Sequence, residues 1–182
     1  LVPLFRKSTD NNADDQILTG FTAKPVYRSE DTDGEPLEYE NIELPELPLI
    51  SRAKEWGLSV RAVPGNYHYF GYYNPTNKEI VLASPDESVL FHELAHHADS
   101  LINGKLTKGQ DPLQEITAEL AAASLCRLVG KQSSSIGNSY QYIEGYASKL
   151  KISAHAATLR VLSNTEKILK LILLTDEVTD ML

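Results

Sequence analysis

The chain has 182 residues, 42% of them hydrophobic, and a formal net charge of −8 at pH 7. This length and apolar content can bury a substantial core, and one domain over residues 1–182 is the natural expectation. The acidic balance argues against direct nucleic-acid binding by this chain and against an anionic membrane surface as its partner.

A single cysteine, Cys126, excludes an internal disulfide framework and a cysteine-based zinc site, which favours a reducing, cytoplasmic setting. We find no secretory signal and no apolar run of membrane-spanning length, since the longest run, residues 168–174, is interrupted by Lys170. The chain opens with Leu1-Val2-Pro3 rather than methionine, so we expect it to be part of a longer protein.

The first quarter of the chain predicts little regular structure. Residues 1–20 are polar and acidic, and we expect a loop or a poorly packed, flexible arm. Residues 25–28 are a short strand candidate. Residues 29–48 combine many acidic residues with three prolines, which is typical of a long surface excursion. Residues 49–56 then predict a short amphipathic helix ended by Gly57.

Three short strands are predicted next. Residues 58–63 alternate apolar and polar side chains, the pattern of a half-buried strand. Residues 67–73 and 79–82 predict two further strands joined by Asn74-Pro75-Thr76-Asn77, a strong turn sequence. A hairpin therefore leads directly into the helix that follows.

Two well-punctuated helices come after the hairpin. The first should cover residues 85–103, with Ser84 as its N-cap and Gly104 as its C-terminal cap. The second begins behind Asp111, which is a good N-cap followed by proline, and stops at Gly130.

The rest of the chain is predicted to be helical. Small side chains at residues 121–124 would let the second helix pack closely against another one. After a linker at residues 133–137, two more helices are predicted over residues 139–151 and 153–174. Strands followed by helices indicate an α+β fold, with a small, mostly antiparallel sheet covered by helices on one side.

The first long helix carries His92-Glu93-Leu94-Ala95-His96. Histidines four residues apart lie about 6 Å apart along a helix and roughly 40° apart around it, so both can reach one ion. Glu93 points about 100° away from His92, which places its carboxylate beside the ion, where a general base for water belongs. We therefore predict His92 and His96 as metal ligands and Glu93 as a catalytic base.

A catalytic zinc site needs a third protein ligand. The second helix offers Glu115 and Glu119, which share a face because they are four residues apart. The distance in sequence from His96 to Glu115 is enough to finish one helix, turn and return antiparallel. We assign Glu115 to one zinc ion per chain and Glu119 to the outer nitrogen of a motif histidine, whose tautomer it would hold. The reverse assignment stays open.

Hydrolysis of a peptide bond is the reaction that such a site predicts. Zinc would activate water and polarise a carbonyl, while Glu93 takes a proton and delivers it to the leaving amine. We hypothesise that residues 80–82 form a free sheet edge to which an extended peptide substrate adds as another strand.

Other polar side chains receive weaker interpretations. His97 faces away from the histidine pair and is interpreted as a surface or packing residue, as are the isolated His68 and His155. Cys126 is interpreted as a small buried side chain. Several tyrosines are candidate donors to an oxyanion, without one being preferred: Tyr72, Tyr73, Tyr140, Tyr142 and Tyr146.

The motif with its downstream acidic pair resembles the gluzincin pattern of zinc peptidases. More specifically, the chain is similar to the C-terminal metallopeptidase domain of ArdC-like antirestriction proteins. Besides the zinc motif, the segments that carry this resemblance are Gly20-Phe21, Pro25-Val26-Tyr27, residues 31–37, Gly71-Tyr72-Tyr73, Ile80-Val81-Leu82, residues 114–120 and the region of Tyr142. The resemblance departs at Asp31-Thr32-Asp33-Gly34, which is more acidic than usual, and at Glu119, where gluzincins commonly have Asp.

The resemblance implies a zincin-like fold related to the ImmA/IrrE group, in proteins often encoded by plasmids and phages. It also implies a separate N-terminal domain, outside this sequence, that binds single-stranded DNA. The first functional reading is a zinc peptidase acting on a protein substrate. The alternative is a module that keeps its zinc but serves binding or regulation in antirestriction, without essential proteolysis.

Overall fold

The computed structural model describes residues 2–7, 16–23, 25, 42–65, 68–104, 106–107, 109–130 and 136–173. The chain separates into two compact units, Leu1–Leu37 and Glu38–Leu182, and the second unit carries all the predicted site residues. The predicted excursion over residues 29–48 lies outside the described residues as far as residue 41, and residues 42–47 have no regular structure, as predicted.

In the first unit, strands β1 (Val2–Lys7) and β2 (Gln16–Thr22) pair antiparallel, with an irregularity between Leu4 and Phe5. The predicted loop is wrong for these two segments. Both contain β-branched and aromatic residues, which favour strands, whereas the acidic cluster that dominated the prediction lies between them and outside the described residues. Of the strand predicted over residues 25–28, only Pro25 is described, and it has no regular structure.

The second unit contains a three-stranded mixed sheet. Strand β3 (Ser59–Ala62) runs parallel to β5 (Glu79–Leu82), and β4 (Gly71–Asn74) pairs antiparallel with the other side of β5. The order β3-β5-β4 corrects two expectations. This sheet is not mostly antiparallel, and β5 is its central strand rather than a free edge. Sequence periodicity identifies strands, but it does not give the direction or the order in which they pair.

Strand β4 is shorter than predicted. Strand β5 has four residues, and each pairs with one residue of β4, from Glu79 opposite Asn74 to Leu82 opposite Gly71. The ladder therefore begins at Gly71. Beyond this point a single hydrogen bond continues the pairing, from the Ala83 N–H to the Phe70 carbonyl at 2.7 Å. The turn between β4 and β5 forms as predicted, since the Asn74 side chain accepts from the next two available N–H groups at 3.0 and 3.2 Å.

The described residues of the second unit hold five helices, α1 (Ile50–Glu55), α2 (Glu87–Asn103), α3 (Pro112–Leu128), α4 (Ile136–Lys149) and α5 (Ala154–Leu173). Helix α2 begins two residues later than predicted, because Asp86 rather than Ser84 caps it and accepts from the Ser88 N–H at 2.8 Å. Gly137 lies in α4 instead of in the predicted linker. None of the helices in the described part of the chain is long and apolar enough to cross a membrane.

Helix α3 packs against three other helices, α2, α4 and α5. Ala118, Ala121 and Ala122 are at most 1% exposed and belong to the apolar cluster shared with α2, β5 and α5. Ile116 belongs to a second cluster shared with α4 and α5. The predicted close packing of the small residues is confirmed for Ala121 and Ala122, and burial on two sides positions the glutamates of α3.

A polar network connects α2 to α5. The Asp99 carboxylate belongs to a residue that is 4% exposed, and it accepts from Asn103 Nδ2 at 2.7 Å and from Asn164 Nδ2 at 2.8 Å.

Replacing Asn164 by alanine should lower the free energy of unfolding by about 1–3 kcal/mol, because a buried carboxylate loses a donor. Urea unfolding measures the change. Lys170→Ala, at an exposed position of α5, is the control and should stay within about 0.5 kcal/mol of the wild type. Equal losses in both variants would contradict the prediction.

Candidate metal centre

Two histidines of α2 meet at one point. His92 and His96 are four residues apart, so one helical turn brings them onto the same face. Their Nε2 atoms are 3.2 Å apart, and their rings meet edge to face with centroids 4.8 Å apart. Both side chains are largely buried, with 14% and 13% of their surface exposed. The pair therefore presents two imidazole nitrogens to one small volume.

Helix α3 adds a carboxylate to this pair. Its start is set by the Asp111 cap and Pro112, which places Glu115 in the first turn. Glu115 Oε2 lies 3.6 Å from His92 Nε2, and Oε1 lies 3.8 Å from His96 Nε2. One ligand atom from each of these three residues lies within 4.8 Å of the others. The structure thus brings together the three side chains that the sequence assigned to a metal.

The spacing of these atoms fits one tetrahedral ion. Metal–ligand distances of roughly 2.0–2.2 Å at tetrahedral angles separate neighbouring ligand atoms by about 3.3–3.6 Å. The two Nε2 atoms are 3.2 Å apart, Glu115 Oε2 lies 3.6 Å from that of His92, and Glu115 Oε1 lies 3.8 Å from that of His96, all close to this range. Two imidazoles and one carboxylate are also a donor set that catalytic zinc sites use. The residues fit a zinc ion in distance and in chemistry, while their role as ligands remains a prediction.

The charges around His92 favour a cation at this point. Burial acts to lower the pKa of His92, but hydrogen bonds to Glu115 and Glu119 raise it to about 10. Burial and the charge of His92 lower the pKa of His96 to about 4, so the second imidazole is neutral. One positive charge is therefore held between two carboxylates, and metal ions compete with protons for such sites.

Glu119 lies on the outer side of His92. The His92 Nδ1–H donates to Glu119 Oε2 at 3.1 Å, which leaves Nε2 directed towards Glu115 and His96. Burial acts to raise the pKa of Glu119, but hydrogen bonds from His92 and from Ser139, in the first turns of α4, lower it. The sequence left open which glutamate is the ligand. Glu115 lies at the two Nε2 atoms, where a ligand belongs, and Glu119 lies at His92 Nδ1, where it would support that histidine.

Glu93 points along a different face of α2. Glu93 is 8% exposed as a residue and lines the same cleft as His92 and His96. The backbone N–H of Tyr73 in β4 faces its carboxylate and favours the ionised form. Burial raises the pKa of Glu93 to about 7, although the charge of His92 and this N–H act to lower it. A carboxyl group with a pKa near neutrality is suited to taking and returning a proton.

Tyr142, one of the five tyrosines predicted as candidate oxyanion donors, contacts the carboxylate of Glu115. Its O–H donates to Glu115 Oε2 at 2.6 Å, and its ring meets the His92 ring edge to face with centroids 5.7 Å apart. Burial and the bond to Glu115 raise the pKa of Tyr142 well above its usual range, so the phenol stays protonated. No spacing distinguishes Tyr142 from the other tyrosines, because its contact depends on how α4 packs against α3.

An open cleft runs past the three candidate ligands. One cavity of about 890 Å³ adjoins the site, and a second of about 460 Å³ extends towards residues 68–70. Both are lined by Gly71, Glu93, Gln110 and Tyr142, among others. The strand that borders the cleft is β4, which is an edge strand, so a peptide strand can be added there rather than at β5.

The remaining singled-out residues do not belong to the group that can hold a metal, although His97 and His68 line the adjoining cavities. His97 lies between the rings of Trp56 and Tyr73, with centroids 5.3 Å away in each case, so it is a buried residue rather than a surface one. Among the described residues, the group that can hold a metal does not include His68 or His155. Cys126 is 3% exposed, which confirms that it is a small buried side chain.

No family model matches this chain, and no curated protein does. Among solved structures, it is similar to the antirestriction protein ArdC from plasmid R388. The Mn(II)-bound structure of that protein overlaps with a TM-score of 0.49 and 20% identity, covering 94% of this chain and 67% of that one. The metal-free structure overlaps with a TM-score of 0.41 and 17% identity, covering 93% and 67%. Both neighbours bear the name that the sequence resemblance predicted, but a likeness of this extent decides neither fold nor function.

Proposed function

We propose that the Glu38–Leu182 unit is a zinc-dependent metallopeptidase of the gluzincin type, with a zincin-like fold, that hydrolyses peptide bonds in a protein substrate. The observation that supports this most is the meeting of His92, His96 and Glu115 within 4.8 Å, beside the Glu93 carboxylate in one open cleft. Burying several ionisable groups against one point is unfavourable unless they are paired, and a bound cation would pair both carboxylates and both imidazoles at once.

Zinc is the ion proposed because it commonly takes two imidazoles and a carboxylate and keeps a further coordination position open. When bound, it supplies Lewis acidity, which lowers the pKa of water and polarises a carbonyl group. His92, His96 and Glu115 would hold it. Glu119 keeps the His92 ring in the tautomer that a ligand needs, and the Tyr142 hydroxyl holds Glu115 in place.

The chain's own groups then account for substrate binding and proton transfer. An extended peptide lies along the free edge of β4, which borders the cleft. The Glu93 carboxylate takes a proton from the water that attacks the peptide carbonyl carbon. It returns that proton to the nitrogen of the leaving amine, so that two products with ordinary termini are released.

The setting of this activity is part of the proposal. The sequence resemblance to ArdC-like proteins implies an antirestriction protein encoded by a mobile element. We propose a cytoplasmic location, which the single cysteine supports. The proposed partner is a protein or peptide substrate. The net charge of −8 makes direct contact between this chain and DNA unfavourable.

Metal content measured by mass spectrometry on the purified chain tests the proposed centre. We expect about one zinc per chain after incubation with zinc, and its loss in His92→Ala and in Glu115→Ala. His155→Ala and Glu144→Gln, at exposed positions on other helices, are the matched controls and should keep the metal. Incubation with equal zinc and manganese should load zinc. No uptake of either metal would overturn the centre, and uptake of manganese alone would overturn the choice of zinc.

A further inference from the structure

Strand β4 lies along one stripe of α2 that is distinct from the histidine pair. Alternate residues of a strand share a face, and residues four apart on a helix do the same. A Cβ placed on Gly71 would lie 2.5 Å from Val89 Cγ1 and 3.5 Å from Glu93 Cγ. Two residues further along β4, the Tyr73 side chain reaches His97. The stripe formed by Val89, Glu93 and His97 therefore faces β4.

The contact between Tyr73 and His97 is well defined. The Tyr73 hydroxyl and His97 Nδ1 are 2.8 Å apart, and the two rings meet edge to face at 73°. The Trp56 ring also contacts the imidazole, with centroids 5.3 Å apart, and His97 is 6% exposed. Among the described residues, His97 Nε2 has no hydrogen-bond partner, so the bond to Tyr73 pairs only Nδ1 of this ring.

The same residue of β4 also contacts the proposed catalytic carboxylate. While the Tyr73 side chain bonds to His97, its backbone N–H faces Glu93 and favours the ionised carboxylate. A Cβ on Gly71 would lie 3.5 Å from Glu93 Cγ. On an edge strand, every second amide points away from the neighbouring strand and is available for such a contact. A change in the Tyr73 side chain is thus expected to move the amide that faces Glu93.

We propose that Tyr73 and His97 are positioning residues: their hydrogen bond, the Tyr73–His97 clip, fixes β4 against α2 and so aims the Glu93 carboxylate into the cleft. The catalytic consequence rests on the proposed peptidase function. The clip itself does not, because it is a contact between β4 and α2 that exists with or without a substrate. His97 acts through Tyr73 and takes no part in holding the metal.

The competing explanation is that His97 only fills the space between Trp56 and Tyr73. Two substitutions of His97 distinguish this packing role from the hydrogen bond of the clip. Leucine keeps an apolar volume between Trp56 and Tyr73 but removes the polar atom. Asparagine is smaller, yet it places a polar atom near the position of Nδ1. A packing role predicts that leucine is tolerated better than asparagine. The clip predicts the opposite order.

The full chain, loaded with zinc, should be compared with its Tyr73→Phe, His97→Leu, His97→Asn and Tyr73→Phe/His97→Leu variants. We expect Tyr73→Phe and His97→Leu to lower kcat about 10–100-fold, since small misplacements of a catalytic group have effects of this size. The double variant should be no worse than the poorer single variant, because both remove the same bond. His97→Asn should recover most of the activity, and zinc content should be unchanged throughout.

A second measurement does not depend on activity. Amide hydrogen exchange of Tyr73, followed by NMR, should be about tenfold or more faster in Tyr73→Phe and in His97→Leu. The amide of Val81 in the central strand β5 should be unchanged, which controls for general loosening. Unchanged Tyr73 exchange, additive kinetic effects, or better function with leucine than with asparagine would each overturn the clip. A chain that never cleaves peptides but shows the expected exchange would overturn the proposed function and keep the clip.

Discussion

Replacing Glu93 by glutamine is expected to lower kcat/KM by about 10²–10⁴-fold, the usual contribution of a positioned general base. Glutamine has nearly the same volume and still offers an oxygen to the Tyr73 N–H, so the fold and the position of β4 should persist. Zinc content should also persist, because Glu93 is not one of the three side chains that converge on the metal position. Loss of turnover with full zinc content would identify Glu93 as the base.

The measurement is cleavage of a peptide library by the wild type and by Glu93→Gln, read by mass spectrometry beside zinc content. Glu144→Gln, an exposed substitution of the same kind on α4, should cleave like the wild type. Retention of more than about a tenth of the wild-type rate by Glu93→Gln would exclude Glu93 as general base. Survival of the antirestriction effect in a variant without peptidase activity would favour the alternative, a zinc-retaining module that acts by binding.

Much of the candidate centre could be predicted because its signals are local. The i, i+4 spacing of His92 and His96 specifies their common face as soon as the segment is helical. Asp111 and Pro112 set the first residue of α3, and the start of that helix places Glu115 and Glu119 one turn apart. The structure brings Glu115 to the two Nε2 atoms and Glu119 to Nδ1 of His92.

What could not be predicted depends on contacts between segments far apart in sequence. The parallel pairing of β3 with β5 makes β5 the central strand, and no periodicity within either strand reveals it. The free edge next to the cleft therefore belongs to β4. Tyr142 lies 27 residues after Glu115, and only the packing of α4 on α3 shows that it reaches this carboxylate. The bond of His97 to Tyr73 is likewise a product of strand placement.

Gly71→Ala is expected to lower both stability and activity, because β4 leaves no room for a side chain between this residue and α2. An added Cβ would lie 2.5 Å from Val89 Cγ1 and 3.1 Å from the Val81 carbonyl oxygen, and neither atom can move away easily. The Val89 side chain is branched at Cβ and stiff, and the carbonyl is part of β5. The expected loss in the free energy of unfolding is about 1–3 kcal/mol, the usual cost of overpacking. Urea unfolding measures this loss.

A second substitution shows whether the clash with Val89 is the cause. Val89→Ala removes the atom that the new Cβ would meet, so Gly71→Ala/Val89→Ala should be more stable than the sum of the two single effects by about 0.5–3 kcal/mol. Additive losses would contradict this account. Because β4 must shift outward in Gly71→Ala, the Tyr73 amide should move away from Glu93 and kcat should fall while zinc stays bound. Recovery of kcat in the double variant would show that the distance between β4 and α2, rather than the identity of residue 71, determines how well Glu93 is aimed.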